Sequence, residues 1–275
     1  MMANNQSGRG SALVAVIFAL FLAALTFITI YFFVARTWWF PEPVTKLGHA
    51  VDQQFIRTLW ITGVVFLLAQ LALAYVLLRY YDRGGRAHYS HGNTTMEVLW
   101  TAITAIFFVG LGVAAESAWA TYHSQPTSSN PLVVRVVGQQ FQWNFHYPGP
   151  DGRFGRTAPE LVDDGLGNFV GLDRSDPAAI DDLVTPIMAV PVGHEVVLDL
   201  TSKDVTHSLF VRELRFKQDA VPGLVVRMRF TAEKVGDYEI ACAELCGLGH
   251  HRMRSVLKVL PPDAYEAWLV EQAVE

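Results

Sequence analysis

Residues 236–260 read Gly236-Asp-Tyr-Glu-Ile-Ala-Cys242-Ala-Glu-Leu-Cys246-Gly-Leu-Gly-His250-His-Arg-Met253-Arg-Ser-Val256-Leu-Lys-Val-Leu260. Two β-type runs, Gly236–Ala241 and Val256–Leu260, flank a segment that contains both cysteines of the chain. Short strands joined by compact turns are typical of an all-β sandwich or barrel. The stretch therefore predicts a β domain with a chemically specialised loop between two of its strands.

This loop concentrates side chains that bind soft metal ions. Cys242, Cys246, His250 and Met253 supply two thiols, an imidazole and a thioether. Sulfur ligands together with imidazole suit copper, whereas structural zinc sites use Cys and His without Met. A single blue-copper ion needs only one Cys, two His and a weak axial Met. The second cysteine therefore indicates a different arrangement, in which two thiolates can bridge two copper ions.

Two further points concern the same loop. A disulfide is the alternative for cysteines four residues apart, but it leaves His250 and Met253 without a role. A two-copper site needs a second histidine from elsewhere, and His207 is the best candidate because it precedes the apolar run Ser208–Val211. The other histidines of this region are interpreted as surface or packing residues: His123, His146, His194 and His251.

The part of the chain before residue 121 is too apolar for an ordinary soluble domain. The whole sequence is 51% hydrophobic, with a mean hydropathy of +0.26. Three apolar stretches, about 12–34, 59–78 and 98–120, reach the roughly 20 residues that cross a bilayer. The first is also a candidate signal peptide, but it exceeds the roughly 7–15 residues of a signal core and no A-x-A cleavage site follows. We predict a membrane anchor of three transmembrane helices over residues 1–122.

Residues 123–275 are predicted to form one all-β domain, and loop charges weakly favour placing it outside the membrane. Within it, residues of about 149–186 are rich in Gly, Pro and Asp. Seven acidic residues lie between Glu160 and Asp182, against a single Arg174. This composition predicts an inserted acidic surface loop. The fold class is then an α+β membrane protein, with N-terminal helices followed by the β domain.

The charge of the chain is unevenly distributed. The formal net charge is −5, and from Thr121 onward 14 Lys and Arg stand against 21 Asp and Glu. An acidic outer domain argues against a nucleic-acid partner and favours a basic one.

The motif resembles that of subunit II of the haem–copper cytochrome c oxidases. That family carries C-x-E-x-C-G-x-G-H-x-x-M after an earlier D-V-x-H-S, and every one of those positions is matched here, the second motif by Asp204–Ser208. The resemblance implies a cupredoxin-like Greek-key barrel that holds a binuclear copper A centre. The implied roles are bridging thiolates from Cys242 and Cys246, one imidazole per copper from His207 and His250, and weak ligands from Met253 and the Glu244 carbonyl.

The resemblance also implies the partners of the chain. The Glu244 carboxylate would face a magnesium ion shared with the haem-bearing catalytic subunit I. Electrons would arrive from a cytochrome c-like donor and leave toward haem, where oxygen is reduced to water with coupled proton pumping. Further oxidase subunits and the lipid bilayer are expected as neighbours. The implied location is a bacterial-type plasma (inner) membrane, as a multi-pass protein whose C-terminal domain lies on the periplasmic face.

Two other regions are interpreted through the resemblance. Members of that family accept electrons at the first Trp of a Q-W-x-W segment. In this sequence Phe141 occupies the position of the first Trp, and Trp143 occupies that of the second. Phenylalanine can fill that contact, but it lacks the indole N–H and is harder to oxidise. Glu97, at the start of the third span, matches a glutamate at the mouth of a proton-uptake channel. A carboxylate at a helix start is also favoured by the helix dipole alone.

An extracytoplasmic copper chaperone or sensor is the alternative function. Such a protein would use the same ligands to bind copper rather than to conduct electrons.

Overall fold

The computed structural model of the chain describes residues 12–37, 39–82, 86 and 88–274. Three helices come first: α1 Ala12–Val34, α2 Lys46–Tyr80 and α3 Thr94–Tyr122. All three are long and apolar enough to cross a membrane by length and composition. The helices α2 and α3 extend beyond the predicted spans, because an apolar run marks only the part that a bilayer requires. Residues 1–11 of the predicted anchor lie outside the described residues.

Ten strands and a final helix follow. The strands are β1 Leu132–Gln139, β2 Gln142–Tyr147, β3 Leu183–Thr185, β4 Met188–Pro191, β5 Glu195–Ser202, β6 His207–Val211, β7 Phe216–Ala220, β8 Val226–Thr231, β9 Gly236–Cys242 and β10 Arg254–Leu260, and the helix is α4 Pro262–Val274. They form two five-stranded sheets, ordered β3-β2-β1-β5-β8 and β4-β10-β9-β6-β7. Membrane-length helices followed by a cupredoxin-like β domain confirm the predicted fold class.

The two sheets share one apolar core. Because side chains alternate across a strand, each strand sends every second residue inward. Fully buried side chains from the first sheet meet those of the second, among them Val134, Val136, Leu198 and Leu200 on one side and Leu209, Ile240 and Leu257 on the other. The strands β6, β9 and β10 lie side by side in the second sheet, and the metal-binding candidates lie in β6, in β9 and in the loop between β9 and β10.

The strands β2, β3 and β7 were not predicted, and in β3 and β7 the local sequence pattern is weak. The strand β3 has only three residues and ends the segment predicted as an acidic surface loop, where it pairs with β2 through Phe145 and Thr185. The strand β7 contains Lys217, Gln218 and Asp219, so its sequence lacks an apolar alternation, and its pairing with β6 determines its conformation. Both are cases in which tertiary pairing overrides a weak local pattern.

The acidic loop is anchored to the β domain by a buried contact. His146 Nε2 lies 2.7 Å from Asp182 Oδ2, and both side chains are almost fully buried. The same carboxylate oxygen accepts a hydrogen bond from the Gly155 N–H at 2.8 Å. Burial lowers the pKa of His146, while the hydrogen bond to Asp182 opposes that shift. His146 is therefore a packing residue, as the sequence indicated, with an acidic partner that the sequence did not reveal.

Part of the linker between α1 and α2 belongs to the same compact unit as the β domain. Residues 41–52 cluster with residues 115–275, whereas residues 53–114 cluster with the N-terminal part of the chain. The Arg215 guanidinium donates to Asp52 at 2.7 Å, and the Glu233 N–H donates to the Val44 carbonyl at 2.8 Å. These contacts attach the first turns of α2 to the β domain.

Candidate metal centre

Three neighbouring strands bring the candidate ligands together at one end of the second sheet. His207 begins β6, Cys242 ends β9, and Met253 directly precedes β10. The pairing of β6 with β9 places Leu209 opposite Cys242, so the start of β6 lies beside the end of β9. The Cys242 N–H donates to the Met253 carbonyl at 3.0 Å and closes the base of the loop. Strand register thus joins residues that are 35 positions apart.

The side chains in this cluster form two similar halves. Cys242 Sγ lies 3.9 Å from His207 Nδ1 and 3.2 Å from the Glu244 carbonyl oxygen. Cys246 Sγ lies 3.6 Å from His250 Nδ1 and 3.8 Å from the Met253 sulfur. The two cysteine sulfurs are 3.9 Å apart, and both cysteines are free. Each thiol thus has one imidazole and one weaker donor beside it.

The cluster is largely excluded from solvent. His207 is fully buried and Met253 is 1% exposed, while Cys242 and Cys246 are 8% and 4% exposed. Metal-ligating atoms of His207, Cys242 and Cys246 all lie within 4.8 Å of one another. His250 is partly exposed and reaches the cluster through Cys246, whereas its neighbour His251 is exposed. Of the two adjacent histidines, His250 is the one whose ring faces a sulfur atom.

The donor set and its arrangement fit copper. Thiolate and thioether sulfur with imidazole are ligands that copper prefers, and a buried Met is foreign to structural zinc sites. The described group of His207, Cys242 and Cys246 can hold a metal ion, and the donor types beside it are ones that copper accepts.

The two thiols differ in acidity. Burial raises the pKa of the Cys242 thiol, but hydrogen bonds, above all with His207, outweigh burial and lower its pKa. Burial and the nearby charge of Cys242 raise the pKa of the Cys246 thiol. The thiolate is the form that binds metals.

Asp204 orients the buried imidazole. Its Oδ1 atom lies 2.8 Å from Nε2 of His207, on the side of the ring away from Cys242. Its Oδ2 atom accepts a hydrogen bond from the Gln140 N–H at 2.7 Å. A carboxylate on one ring nitrogen fixes the tautomer and the direction of the other nitrogen. The D-V-x-H-S motif contained Asp204, but its sequence position alone gave it no role.

Phe141 and Trp143 flank the cluster in different ways. Phe141 is 37% exposed and packs against the loop so closely that a Cβ atom at Gly249 would lie 2.4 Å from its ring. Trp143 is 1% exposed, and its ring centroid lies 6.0 Å from that of His207 in an edge-on contact. Its indole N–H is buried and has no hydrogen-bond partner among the described residues. One aromatic residue thus reaches the surface and the other contacts the buried imidazole.

Two predicted site residues are less closely involved. The Glu244 side chain is partly exposed, and its carbonyl is the atom that approaches Cys242. Glu97 lies exposed in the first turn of α3, in the other compact unit of the chain. Within the β-domain unit, the structure brings together the loop, His207, Phe141 and Trp143.

A buried cluster of cysteine, histidine and methionine in a β domain, on a chain with membrane-length helices, is the arrangement expected of a membrane-anchored copper-binding protein. A family model described as "Cytochrome C oxidase subunit II, periplasmic domain" matches residues 132–260. The chain is 34% identical over 262 residues to the alternative cytochrome c oxidase subunit 2 of Bradyrhizobium diazoefficiens, covering 92% of this chain and 91% of that protein. The chain belongs to the cytochrome c oxidase subunit II family.

Two further similar proteins are a second relative and a solved structure. The cytochrome c oxidase subunit 2 of Cereibacter sphaeroides is 31% identical, with 84% of this chain and 78% of that protein covered. The crystal structure of the periplasmic domain of a Bradyrhizobium japonicum cytochrome oxidase subunit II matches 54% of this chain and 95% of its own, at 26% identity and a TM-score of 0.39.

Family membership defines the general role of the chain. It is an electron-transfer subunit of a haem–copper oxidase, an oxidoreductase complex. The family implies copper as its metal, and the described cluster of His207, Cys242 and Cys246 can hold a metal ion. The chain is a membrane subunit whose β domain faces outward.

Proposed function

We propose that this chain accepts electrons from a cytochrome c-like donor at a binuclear copper A centre. It passes them to haem in catalytic subunit I of a terminal respiratory oxidase, where oxygen is reduced to water with coupled proton pumping. The observation that carries the proposal is the pairing in the cluster, where each of two free thiols has its own imidazole nitrogen within 3.9 Å.

The side chains of the candidate metal centre contribute by holding the metal ligands in fixed positions. When bound, a copper pair supplies one-electron exchange shared between two ions. Cys242 and Cys246 would hold the copper through their sulfurs, and His207 and His250 would each supply a nitrogen ligand. Met253 and the Glu244 carbonyl would supply weaker ligands, and Asp204 holds the His207 ring. Burial of these groups excludes water and limits movement of the ligands when the charge of the site changes.

The proposed donor surface lies around Phe141. The Phe141 ring is partly exposed and touches the loop, and the buried Trp143 ring contacts His207. The excess of acidic over basic residues from Thr121 onward would attract a basic donor over a long range. We propose Phe141 and Trp143 as the place where electrons enter.

Three finer assignments complete the proposal. The Glu244 carboxylate helps to bind a magnesium ion shared with catalytic subunit I, and Glu97 contributes to proton uptake at the start of α3. The chain crosses a bacterial-type inner membrane several times, alongside further oxidase subunits, with its β domain on the periplasmic face. The three membrane-length helices support a multi-pass arrangement.

The alternative function, a copper chaperone or sensor, places different demands on the site. A copper carrier has to release its ion to an acceptor, which an exposed site allows. Full burial of His207 and almost full burial of Met253 instead favour permanent retention of the metal. The contact between the Trp143 ring and the buried His207 imidazole also favours electron transfer over copper release.

Electron acceptance by the copper-loaded full chain in detergent tests the proposal. We expect a reduced basic cytochrome c to reduce it rapidly in a stopped-flow experiment. The rate should fall steeply as ionic strength rises, because exposed charges are screened beyond about 10 Å at 0.1 M salt. An acidic cytochrome c of similar potential serves as the control and should react slowly. Copper that stays oxidised with both donors would instead support the chaperone.

A further inference from the structure

The turn between β1 and β2 touches the candidate metal centre at two points. Gln139 pairs with Gln142, so Gln140 and Phe141 form the tip of this hairpin. The Gln140 N–H donates to Asp204 Oδ2 at 2.7 Å, and its side-chain amide donates to the Cys246 carbonyl at 2.5 Å. One residue thus contacts both segments that carry the ligands.

The part of the loop that Gln140 contacts has an unusual conformation. Gly247, directly after Cys246, has a φ angle of 139°, and a Cβ atom there would lie 2.8 Å from the Gln140 amide nitrogen. The neighbouring side chains of Leu245 and Leu248 point outward, with 78% and 98% of their surface exposed. Packing of these two leucines therefore does little to hold the tip of the loop. A hydrogen bond from outside the loop is well placed to fix the peptide that follows the ligand.

The other contact of Gln140 reaches the second half of the centre. Asp204 shares its two carboxylate oxygens between the Gln140 N–H and the His207 ring. Gln140 therefore helps to hold Asp204 in the position from which that carboxylate orients His207. Through its main chain it acts on His207, and through its side chain it acts on Cys246.

We propose that Gln140 is a positioning residue for the metal centre. Its two hydrogen bonds set the distance between two pairs of side chains. One pair is Cys242 with His207, and the other is Cys246 with His250. The inference rests on the proposed two-copper function and adds a residue to it. Ligand geometry tolerates errors of only about 0.5 Å before a site loses its function, so a single hydrogen bond at this point matters.

Substitution of Gln140 tests the inference in the purified full chain. Gln140→Met keeps the length of the side chain and removes its N–H donors. The matched control is Gln142→Met on the same hairpin, because the Gln142 amide donates to Asn144 rather than to the loop. In the metal-free protein, we expect Gln140→Met to speed hydrogen exchange of residues 243–253 by about tenfold, as loss of one hydrogen bond would. Exchange in β9 and β10 should stay unchanged.

The copper-loaded proteins give a second readout. Gln140→Met should distort the copper hyperfine pattern toward two unequal ions, and Gln142→Met should leave it as in the wild type. If the loop of Gln140→Met exchanged hydrogen at the wild-type rate and its copper spectrum also matched that of the wild type, the inference would be overturned. If the wild-type chain itself shows no two-copper signal, the proposed function fails, and loop exchange alone then decides whether Gln140 fixes the loop.

Discussion

The Cys246→Ser chain is expected to lose its two-copper centre while keeping its fold. Serine preserves the size of the side chain, but its hydroxyl does not ionise near neutral pH and is a poor ligand for copper. Cys246 is also the sulfur that both His250 and Met253 approach, so its loss affects half of the ligand set. Changing groups that merely support a ligand costs about 10–100-fold in metal affinity, and removing a bridging ligand should cost more than about 100-fold.

Copper content and the hyperfine spectrum of the purified chain measure this effect. The control is Leu245→Ser in the same loop, whose side chain is 78% exposed and makes no ligand contact. It should bind two copper ions as the wild type does. Retention of two coppers with an unchanged spectrum in Cys246→Ser would show that Cys246 is not a copper ligand.

The second large effect is expected at Asp204. The Asp204→Ala change removes the carboxylate that holds His207 Nε2 and leaves the fully buried ring without that partner. The ring is then free to adopt the other tautomer or to rotate, so Nδ1 no longer faces Cys242. We expect copper affinity to fall by about 10–100-fold, as for other carboxylates that support ligating histidines.

Competition with a copper chelator of known affinity measures this loss. Asp204→Asn keeps an oxygen acceptor for the ring and should lie between the wild type and Asp204→Ala. Asp164→Ala is the matched control, since Asp164 lies nearby, 2.6 Å from Lys203, and does not touch His207. Equal copper affinity in Asp204→Ala and Asp164→Ala would show that Asp204 has no orienting role.

The sequence predicted the parts of this protein that depend on local chemistry. The apolar runs predicted three helices, which the structure contains, and the residue types within Cys242–Met253 predicted a metal-binding loop whose cysteines lie together in the structure. His207 could be chosen because it precedes an apolar strand. In the structure, register between β6 and β9 brings it beside Cys242.

The features that were missed depend on tertiary contacts. Asp182 lies in an acidic stretch that suggested a solvated loop, yet it is buried against His146. Residues 41–52 lie between two apolar runs, and tertiary contacts such as those of Val44 and Asp52 show that they join the β domain. Gln140 lies beside Phe141 and Trp143, on which the sequence interpretation concentrated. Nothing in the sequence indicated that its side-chain amide donates a hydrogen bond to the Cys246 carbonyl.

The hyperfine spectrum of the copper-loaded wild-type chain distinguishes a two-copper site from a one-copper site. An unpaired electron shared equally by two copper nuclei gives seven lines, whereas an electron confined to one nucleus gives four. We predict a seven-line pattern with two coppers bound per chain, because each thiol has its own imidazole partner. A four-line pattern with one copper per chain would contradict the two-copper site and favour a copper-carrying or copper-sensing protein.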